Sequence, residues 1–257
     1  MRHSASPGVP TSVLGRALTI VTAFNLEDDE LSLSSISRRT GIPKPTVHRL
    51  VSELADWRIV EKTDAGVRLG LQLFELGQMA SGQRSLRETA APFLRDLHEA
   101  TLLTVHLGVL DGRQVVYLDK IPAKHGPQLA SRVGGRMPLH CTAIGKALLA
   151  FADPELIASV LGNPLERLTP RSVIAPGLLE QQLLRIRTTR VSFEGEESTR
   201  GVVCVASPVI CTCGDLKGAI SVSGWSTRVD VARIAPAVRT AASALSRELG
   251  RQHEATT

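Results

Sequence analysis

The chain has 257 residues, of which 43% are hydrophobic and 21% charged, a composition that excludes a largely disordered protein and leaves room for two domains. Its apolar runs are far shorter than a membrane span and residues 1–10 are polar, so we expect neither a transmembrane helix nor a signal peptide, and we expect a cytoplasmic protein. The four cysteines are too few for a disulfide scaffold and are expected as reduced thiols, while the net charge of +5 is compatible with a nucleic-acid partner.

Two short helices are predicted after a flexible tail of residues 1–11. The first helix carries apolar residues at helical spacing, which are Val13, Ala17, Ile20, Val21 and Phe24. The second begins near Leu33, with Ser34 as the expected N-cap. Gly41 suits the left-handed position just beyond its end.

The third helix follows a turn at residues 41–43 and carries apolar residues at helical spacing, which are Val47, Leu50, Val51 and Leu54. This stripe would be buried and would leave the opposite face outward. Pro45 is at home in the first turn of a helix and disfavours the helical conformation for the residue before it. Lys44 is therefore the expected N-cap.

Basic residues are concentrated in residues 31–52, a segment without a carboxylate that follows the acidic run 27–30. We therefore expect one basic surface that no nearby carboxylate compensates. Short strands at residues 59–62 and 67–69 complete the pattern of a winged helix-turn-helix over residues 12–70. A three-helix bundle with a basic face would show the same helices, but the added hairpin favours the DNA-binding fold.

A helix that lies in the major groove needs short polar or basic side chains on its exposed N-terminal half, with apolar anchors behind them. The third helix has this arrangement. The candidate DNA-binding residues are Arg38, Lys44, Pro45, Thr46, His48 and Arg49.

A linker helix over residues 71–84 is predicted to lead into a second domain of residues 85–250, followed by a tail of residues 251–257. The expected helices are 86–100, 143–151, 154–161, 178–189 and 229–249. The expected strands are 104–110, 114–120, 202–211 and 217–223, the first two joined by the hairpin dipeptide Asp111-Gly112. Strands mixed with helices in this order predict an α+β fold.

The enzyme motifs that we tested are incomplete. Gly145-Lys146 resembles the end of a phosphate loop, but His140 and Ala147 stand where that motif needs glycine and a hydroxyl residue. His140 beside Cys141 has no third group to orient it. We therefore expect no catalytic residue, no cofactor and no metal ligand.

The cysteines leave one alternative open. Cys204, Cys211 and Cys213 do not have a standard zinc spacing, yet thiolates favour soft metals. A redox- or metal-responsive regulator is thus the alternative function.

Several segments resemble the IclR family of bacterial transcription regulators. In the first domain these are VLGRALTI at residues 13–20 and TGIPKPTVHRL at residues 40–50. In the second they are GGRMPLHCTAIGKALLA at residues 134–150, Glu196-Glu197 and GVVCVASPV at residues 201–209. The resemblance covers residues 12–250. It departs at Pro45, where many members have serine or another small residue, and at Val67, where an aromatic residue is common.

The resemblance implies a C-terminal GAF-like α/β domain that binds a small-molecule effector, and a homodimer or homotetramer on double-stranded operator DNA. The effector expected from it is an organic or aromatic acid. The positions that match the family's effector site are Met137, Ala143, Ile144, Glu194, Val202, Cys204, Ser221 and Ser223.

Ser221 and Ser223 alternate along one predicted strand and therefore share a face. That face either lines a polar cup, if the strand pairs with the one carrying Cys204, or meets solvent at a sheet edge. Backbone donors at the helix start near Ala143 would assist the two hydroxyls in holding an anion. An ionised Glu194 would repel such an anion unless it accepts a hydrogen bond from a ligand hydroxyl or faces away.

Overall fold

The computed structural model describes residues 10–25 and 27–254, so the predicted tail of residues 1–11 lies almost wholly outside the described residues. The chain divides into two compact units, an N-terminal unit of residues 1–81 and a C-terminal unit of residues 82–257. Within the described ranges, none of the helices combines the length and the apolar character that a membrane span needs.

The N-terminal unit contains helices and a two-stranded antiparallel hairpin in the predicted order. Its elements are α1 (Val13–Val21), α2 (Leu33–Thr40), α3 (Lys44–Asp56), β1 (Val60–Lys62), β2 (Val67–Leu69) and α4 (Leu71–Gln78). The strands pair from Val60 with Leu69 to Lys62 with Val67. This hairpin is the wing that the sequence predicts.

The helix ends differ in detail from the prediction. Ser32, and not Ser34, caps α2, because its hydroxyl accepts a hydrogen bond from the Ser35 amide at 3.1 Å. Gly41 is left-handed with φ of 71°, as predicted. Helix α3 begins at Lys44, so its N-cap is Pro43 rather than Lys44.

The core of the N-terminal unit is formed by the buried faces of its helices and the wing, with Ile20, Ile36, Val47 and Leu50 among its members. Val13 is 53% exposed, so the apolar face of α1 is only partly buried.

The wing is anchored by Val67, which is 2% exposed. Its backbone exchanges two hydrogen bonds of 2.8 and 2.9 Å with Leu31. An aliphatic side chain therefore fills the position where an aromatic residue is common in the family.

The C-terminal unit is a six-stranded antiparallel sheet with helices on both faces. Its helices are α5 (Ser81–Thr101), α6 (Ala143–Leu149), α7 (Pro154–Leu161), α8 (Pro176–Thr189) and α9 (Val231–Glu254). Its strands are β3 (Thr104–Asp111), β4 (Gln114–Ile121), β5 (Arg136–Pro138), β6 (Ser192–Gly195), β7 (Val202–Ile210) and β8 (Leu216–Trp225), in the spatial order β5-β4-β3-β8-β7-β6. The predicted hairpin turn is present, with Gly112 at φ of 56°.

The strands β5 and β6 were not predicted, and the linker helix and the last helix depart most from their predicted bounds. The linker helix expected over residues 71–84 is interrupted after Gln78, and its last residues belong to α5, which starts at Ser81. The last helix continues to Glu254, so residues 251–254 are helical rather than part of a tail.

The alternation of side chains along the strands separates two cores. Ile220 and Val222 of β8 pack with α5 and α9, whereas Ala219 points to the opposite face, toward α6 and α8. Ser221 and Ser223 lie on this second face because they are two and four residues beyond Ala219. The polar face of the sheet is therefore covered by α6.

Candidate functional site

The N-terminal half of α3 presents the predicted DNA-reading residues. Lys44, Pro45, His48 and Arg49 are exposed and Thr46 is half-buried. Arg38, on α2, is exposed as well. The buried stripe of α3 lies behind them, as the helical spacing predicts.

The expectation of a wholly uncompensated basic surface is wrong. Arg39 forms a two-pronged ion pair with Asp28 of the acidic run, with Nη2 to Oδ1 at 2.8 Å, and its guanidinium lowers the pKa of Asp28 to about 2. Arg49 contacts Glu53 one turn along α3 at 2.6 Å. Asp28 reaches Arg39 because the chain folds back over 11 positions, and Glu53 reaches Arg49 because one turn of α3 places them side by side.

Cations remain available on this surface. Arg38 and Lys44 form no ion pair with another residue in the described part of the chain. The Arg49–Glu53 pair is about half exposed on both sides, and such pairs are worth at most about 1 kcal/mol, so a phosphate can replace Glu53.

The second candidate site is a small cavity of about 30 Å³ between α6 and the polar face of the sheet, so a ligand larger than a few atoms enters only if lining side chains move. Strand pairing places Ser221 beside both His106 and Ala206, and Ser223 beside both Thr104 and Cys204. The predicted residues that line the cavity are Met137, Ala143, Ile144, Cys204, Ser221 and Ser223. The strand therefore lies inside the sheet and not at a solvent edge.

Glu194 and Val202 do not line this cavity. The Glu194 carboxylate accepts hydrogen bonds from the backbone amides of Glu197 at 2.8 Å and Ser198 at 3.2 Å, and from the Cys204 thiol at 3.4 Å. It thus caps the loop after β6, and burial raises its pKa. Val202 pairs with Trp225 at the end of β8. It is two residues from Cys204 along β7 and lies on the same face of the sheet.

Sequence reasoning missed several lining residues, which are His106, Tyr117, Leu129, Ala130, Ser131, Thr142, Ser198 and Thr199. His106 could have been found, because it alternates with apolar residues in β3. Its Nε2 lies 2.8 Å from the Ser131 hydroxyl, and its Nδ1 lies 3.4 Å from the Ser221 hydroxyl. Burial, with a smaller contribution from the charge of Lys120, lowers the pKa of His106 to about 3.

The start of α6 closes one side of the cavity. The Thr142 hydroxyl caps the helix by accepting from the Gly145 amide at 3.0 Å. A Cβ on Gly145 would lie 2.4 Å from the Leu139 carbonyl oxygen, so this position requires glycine. Gly145 therefore serves close packing, in accord with the rejection of a phosphate loop.

Lys146 is fully buried and does not line the cavity. Its ammonium donates to Glu197 Oε1 at 2.7 Å and to Gln182 Oε1 at 2.9 Å. The pair joins α6 to the loop that carries Ser198 and Thr199, two of the lining residues.

The cysteines do not form one cluster. Cys211 and Cys213 are joined by a disulfide, which corrects the expectation of reduced thiols for this pair. Their Cα atoms are 5.2 Å apart at the end of β7 and the following turn, a separation that a disulfide spans. Cys204 is free and accepts from the Ser223 hydroxyl at 3.0 Å.

The second free cysteine, Cys141, is buried. Burial raises its pKa to about 12 and raises that of Cys204 well above the usual thiol value. Both are therefore protonated at neutral pH, which disfavours a thiolate nucleophile or ligand at either position.

Both halves of the chain match family models. The model described as "IclR helix-turn-helix domain" matches residues 13–64, and the one described as "Bacterial transcriptional regulator IclR C-terminal" matches residues 78–247. The chain belongs to the IclR family. The predicted family and fold class are thereby confirmed, and so is the predicted function of a DNA-binding transcription regulator with a small-molecule effector.

The sequences of named relatives match this chain over most of its length. The HTH-type transcriptional regulator XynR of Escherichia coli K12 is 36% identical over 241 residues, which are 91% of this chain and 96% of the relative. The HTH-type transcriptional regulator KdgR of the same organism is 32% identical over 230 residues, 87% of this chain and 88% of the relative. Both are regulators by name.

A solved structure of similar fold is an IclR homolog from Microbacterium hydrocarbonoxydans complexed with 4-hydroxybenzoate. It superposes with a TM-score of 0.86 at 28% sequence identity, over 91% of this chain and 98% of that one.

Proposed function

We propose that this IclR-family regulator reads its operator with the exposed half of α3. The observation that carries the proposal is the placement of Lys44, Thr46, His48 and Arg49 outward from a buried apolar stripe. Short polar and basic side chains in this position reach base edges in the major groove, and Arg38 on α2 suits a phosphate contact. Pro45 adds only apolar contact, so the hydroxyl contact that serine would make at this position is absent.

We propose a compact organic or aromatic acid as the effector. The lining offers neutral donors, and the Ser221 and Ser223 hydroxyls with the first amides of α6, those of Ala143 and Ile144, would hold a carboxylate. Met137, Ile144 and Cys204 would cover its carbon atoms. The relative that binds 4-hydroxybenzoate supports this class.

The regulator is proposed to act as a homodimer or homotetramer on a partly palindromic operator, in the cytoplasm and without a membrane or cofactor. Helices α1 and α4 support assembly, since Leu14, Leu18, Leu71 and Phe74 are large apolar side chains that remain exposed in the single chain. We propose residues 12–70 as the DNA-binding domain, 71–84 as the linker and 85–250 as the effector and oligomerisation domain. No enzymatic role is proposed.

The experiment selects bound duplexes from a random DNA library and then titrates acids against the selected operator. The acids form pairs that differ by one hydroxyl: benzoate with 4-hydroxybenzoate, propionate with lactate, and butyrate with 3-hydroxybutyrate. We expect a partly palindromic sequence, and at least one acid that binds by calorimetry and changes operator affinity. Failure to enrich any sequence would contradict the DNA-reading proposal, and absence of binding by all six acids would contradict the effector class.

A second candidate function rests on the Cys211–Cys213 disulfide, with Asp215 close by. The two sulfurs and an Asp215 carboxylate oxygen lie within 4.8 Å of one another, so the reduced pair could hold a soft metal ion. Cys204 lies in the cavity and does not belong to this group. Operator titration with and without a thiol reductant, and metal analysis of protein purified without chelator, test this role.

A further inference from the structure

His106 is a polar residue in the lining of the effector cavity. The family resemblance did not indicate this residue. Its side chain is 2% exposed, and its ring centroid lies 5.2 Å from that of Tyr117. Strand register sets it beside Ser221, on the face that α6 covers. The imidazole is thus fixed in place by both its strand and its neighbours.

Both ring nitrogens meet hydroxyl groups. Nε2 is 2.8 Å from Ser131 Oγ, and Nδ1 is 3.4 Å from Ser221 Oγ. A neutral imidazole donates from one nitrogen and accepts at the other, and each serine hydroxyl can rotate to match either tautomer. His106 can therefore offer either a donor or an acceptor to a group that takes the place of one serine.

Ser131 is the serine that a ligand can replace. It belongs to the segment 129–131, which lines the cavity outside the sheet and α6, whereas Ser221 is held within β8. The Lys120 ammonium donates to the Ser131 carbonyl oxygen at 2.6 Å and holds this segment in place. The Ser131 hydroxyl occupies the position at His106 Nε2 that a polar ligand atom would otherwise take.

The chemistry at His106 suits a hydroxyl better than a carboxylate. No Lys, Arg, Asp or Glu is among the described residues that line the cavity. His106 could attract an anion strongly only by becoming a cation, which its burial and the nearby Lys120 charge both oppose. An uncharged hydroxyl both donates and accepts, as the serine hydroxyl does, so it can replace that group without bringing charge into the site.

We propose that His106 and Ser131 form a hydroxyl-reading subsite, so that the effector is an acid that carries a hydroxyl group, and this hydroxyl displaces the Ser131 side chain from His106 Nε2. The inference rests on the proposed function, because it assigns a second recognition point within the same cavity. Ser221 and Ser223 hold the acid group, and His106 distinguishes hydroxy acids from their deoxy counterparts.

Calorimetry on the full chain with the three acid pairs tests the subsite. In the unmodified protein, the hydroxy member of at least one pair should bind about threefold more tightly than its deoxy partner, toward the low end of the value for one hydrogen bond, because the bond to Ser131 is exchanged rather than added. His106→Phe should reduce this ratio to about one, since it removes both ring nitrogens. His106→Gln, which keeps a donor and an acceptor, should retain part of the preference.

Ser131→Ala tests the subsite independently, because it should strengthen binding of the hydroxy acid, whereas His106→Phe should remove the preference for it. Without the serine hydroxyl, the ligand has no competitor at Nε2, and the hydroxy acid should bind about fivefold more tightly. This variant decides the question if His106→Phe does not fold; unchanged affinity for the hydroxy acid would then overturn the subsite. The matched control is His98→Phe, a histidine on α5 that bonds to the Leu103 carbonyl and does not line the cavity. It should leave the ratio unchanged.

Two failures are distinguishable. If none of the six acids binds, the proposed effector class fails and the subsite fails with it. If acids bind but each pair binds equally, or if His106→Phe retains the full preference, the subsite alone is overturned.

Discussion

The α3 surface, which we propose reads DNA, and the cavity proposed to hold the effector use polar groups in opposite ways. The surface exposes Lys44, His48 and Arg49 from one helix, whereas the cavity combines neutral side chains from several strands, α6 and two loops. DNA is a polyanion that exposed cations bind at little desolvation cost. A buried cation would be expensive without a partner, so a small acid is better met by neutral hydroxyls. The charges near the cavity, Lys146 and Glu194, are occupied by other groups.

The largest expected effect concerns Lys146 and Glu197, a buried ion pair near the cavity whose charges neutralise each other outside its lining. Lys146→Met leaves Glu197 buried without its cation and should lower the free energy of unfolding by about 3–5 kcal/mol. Denaturant unfolding measures this. Combining it with Glu197→Gln should recover part of the loss, because the orphaned charge is removed. A single-variant loss below about 1 kcal/mol would show that the pair does not have this role.

Removing the two hydroxyls that are proposed to hold the acid should weaken effector binding while leaving DNA binding intact. Ser221→Ala combined with Ser223→Ala should weaken effector binding by about 3 kcal/mol and abolish the effector response, since hydrogen bonds to a charged group are lost. Operator affinity without ligand should persist. Calorimetry and gel shift measure the two quantities. Ser207→Ala is the control, because this buried serine bonds to the Arg190 carbonyl and does not line the cavity. Unaltered ligand affinity in the double variant would remove both serines from the site.

Single substitutions on the basic surface of α3 should weaken operator binding. Lys44→Ala and Arg49→Ala should each cost about 1–3 kcal/mol in operator binding if they contact bases, and a lost phosphate contact should lower the salt slope by about one. Gel-shift titration at several salt concentrations distinguishes the two. Arg113→Ala, an exposed arginine of the C-terminal unit, is the control for net charge. Unchanged operator binding by both variants would refute the assignment of α3.

The smallest effect is expected at the disulfide. Replacing Cys211 and Cys213 with serine should change operator and effector affinity by less than about twofold, because the bond closes a very short loop and lies outside the cavity lining. The same titrations measure it. Loss of a bound metal ion in this variant, together with loss of regulation, would instead support the sensor function.

Most helices and strands followed from local patterns, but the short strands β5 and β6 were not predicted. The spacing of Val47, Leu50 and Val51 predicts both α3 and its buried face, and the Asp111-Gly112 dipeptide predicts the β3–β4 hairpin. Outward placement of the α3 residues also followed from the sequence, because all of them lie on one helix whose period is known.

The cavity depended on strand pairing. Alternation shows that Ser221 and Ser223 share a face, but only the register with β3 and β7 places them beside His106 and Cys204. No periodicity relates the loop residue Ser131 to His106, which is 25 positions away. Spacing along the chain carries no information about such a contact.

The sequence by itself determined the family, the order of most elements and the buried face of helices such as α3, because these depend on residue types and on neighbours within a few residues. Tertiary structure decided which charges are free. Asp28 reaches Arg39 across 11 positions and Glu197 reaches Lys146 across 51, and both contacts exist only after distant segments pack together. The charge of a surface or cavity is a sum over such contacts, so it follows from the fold and cannot be obtained from local composition.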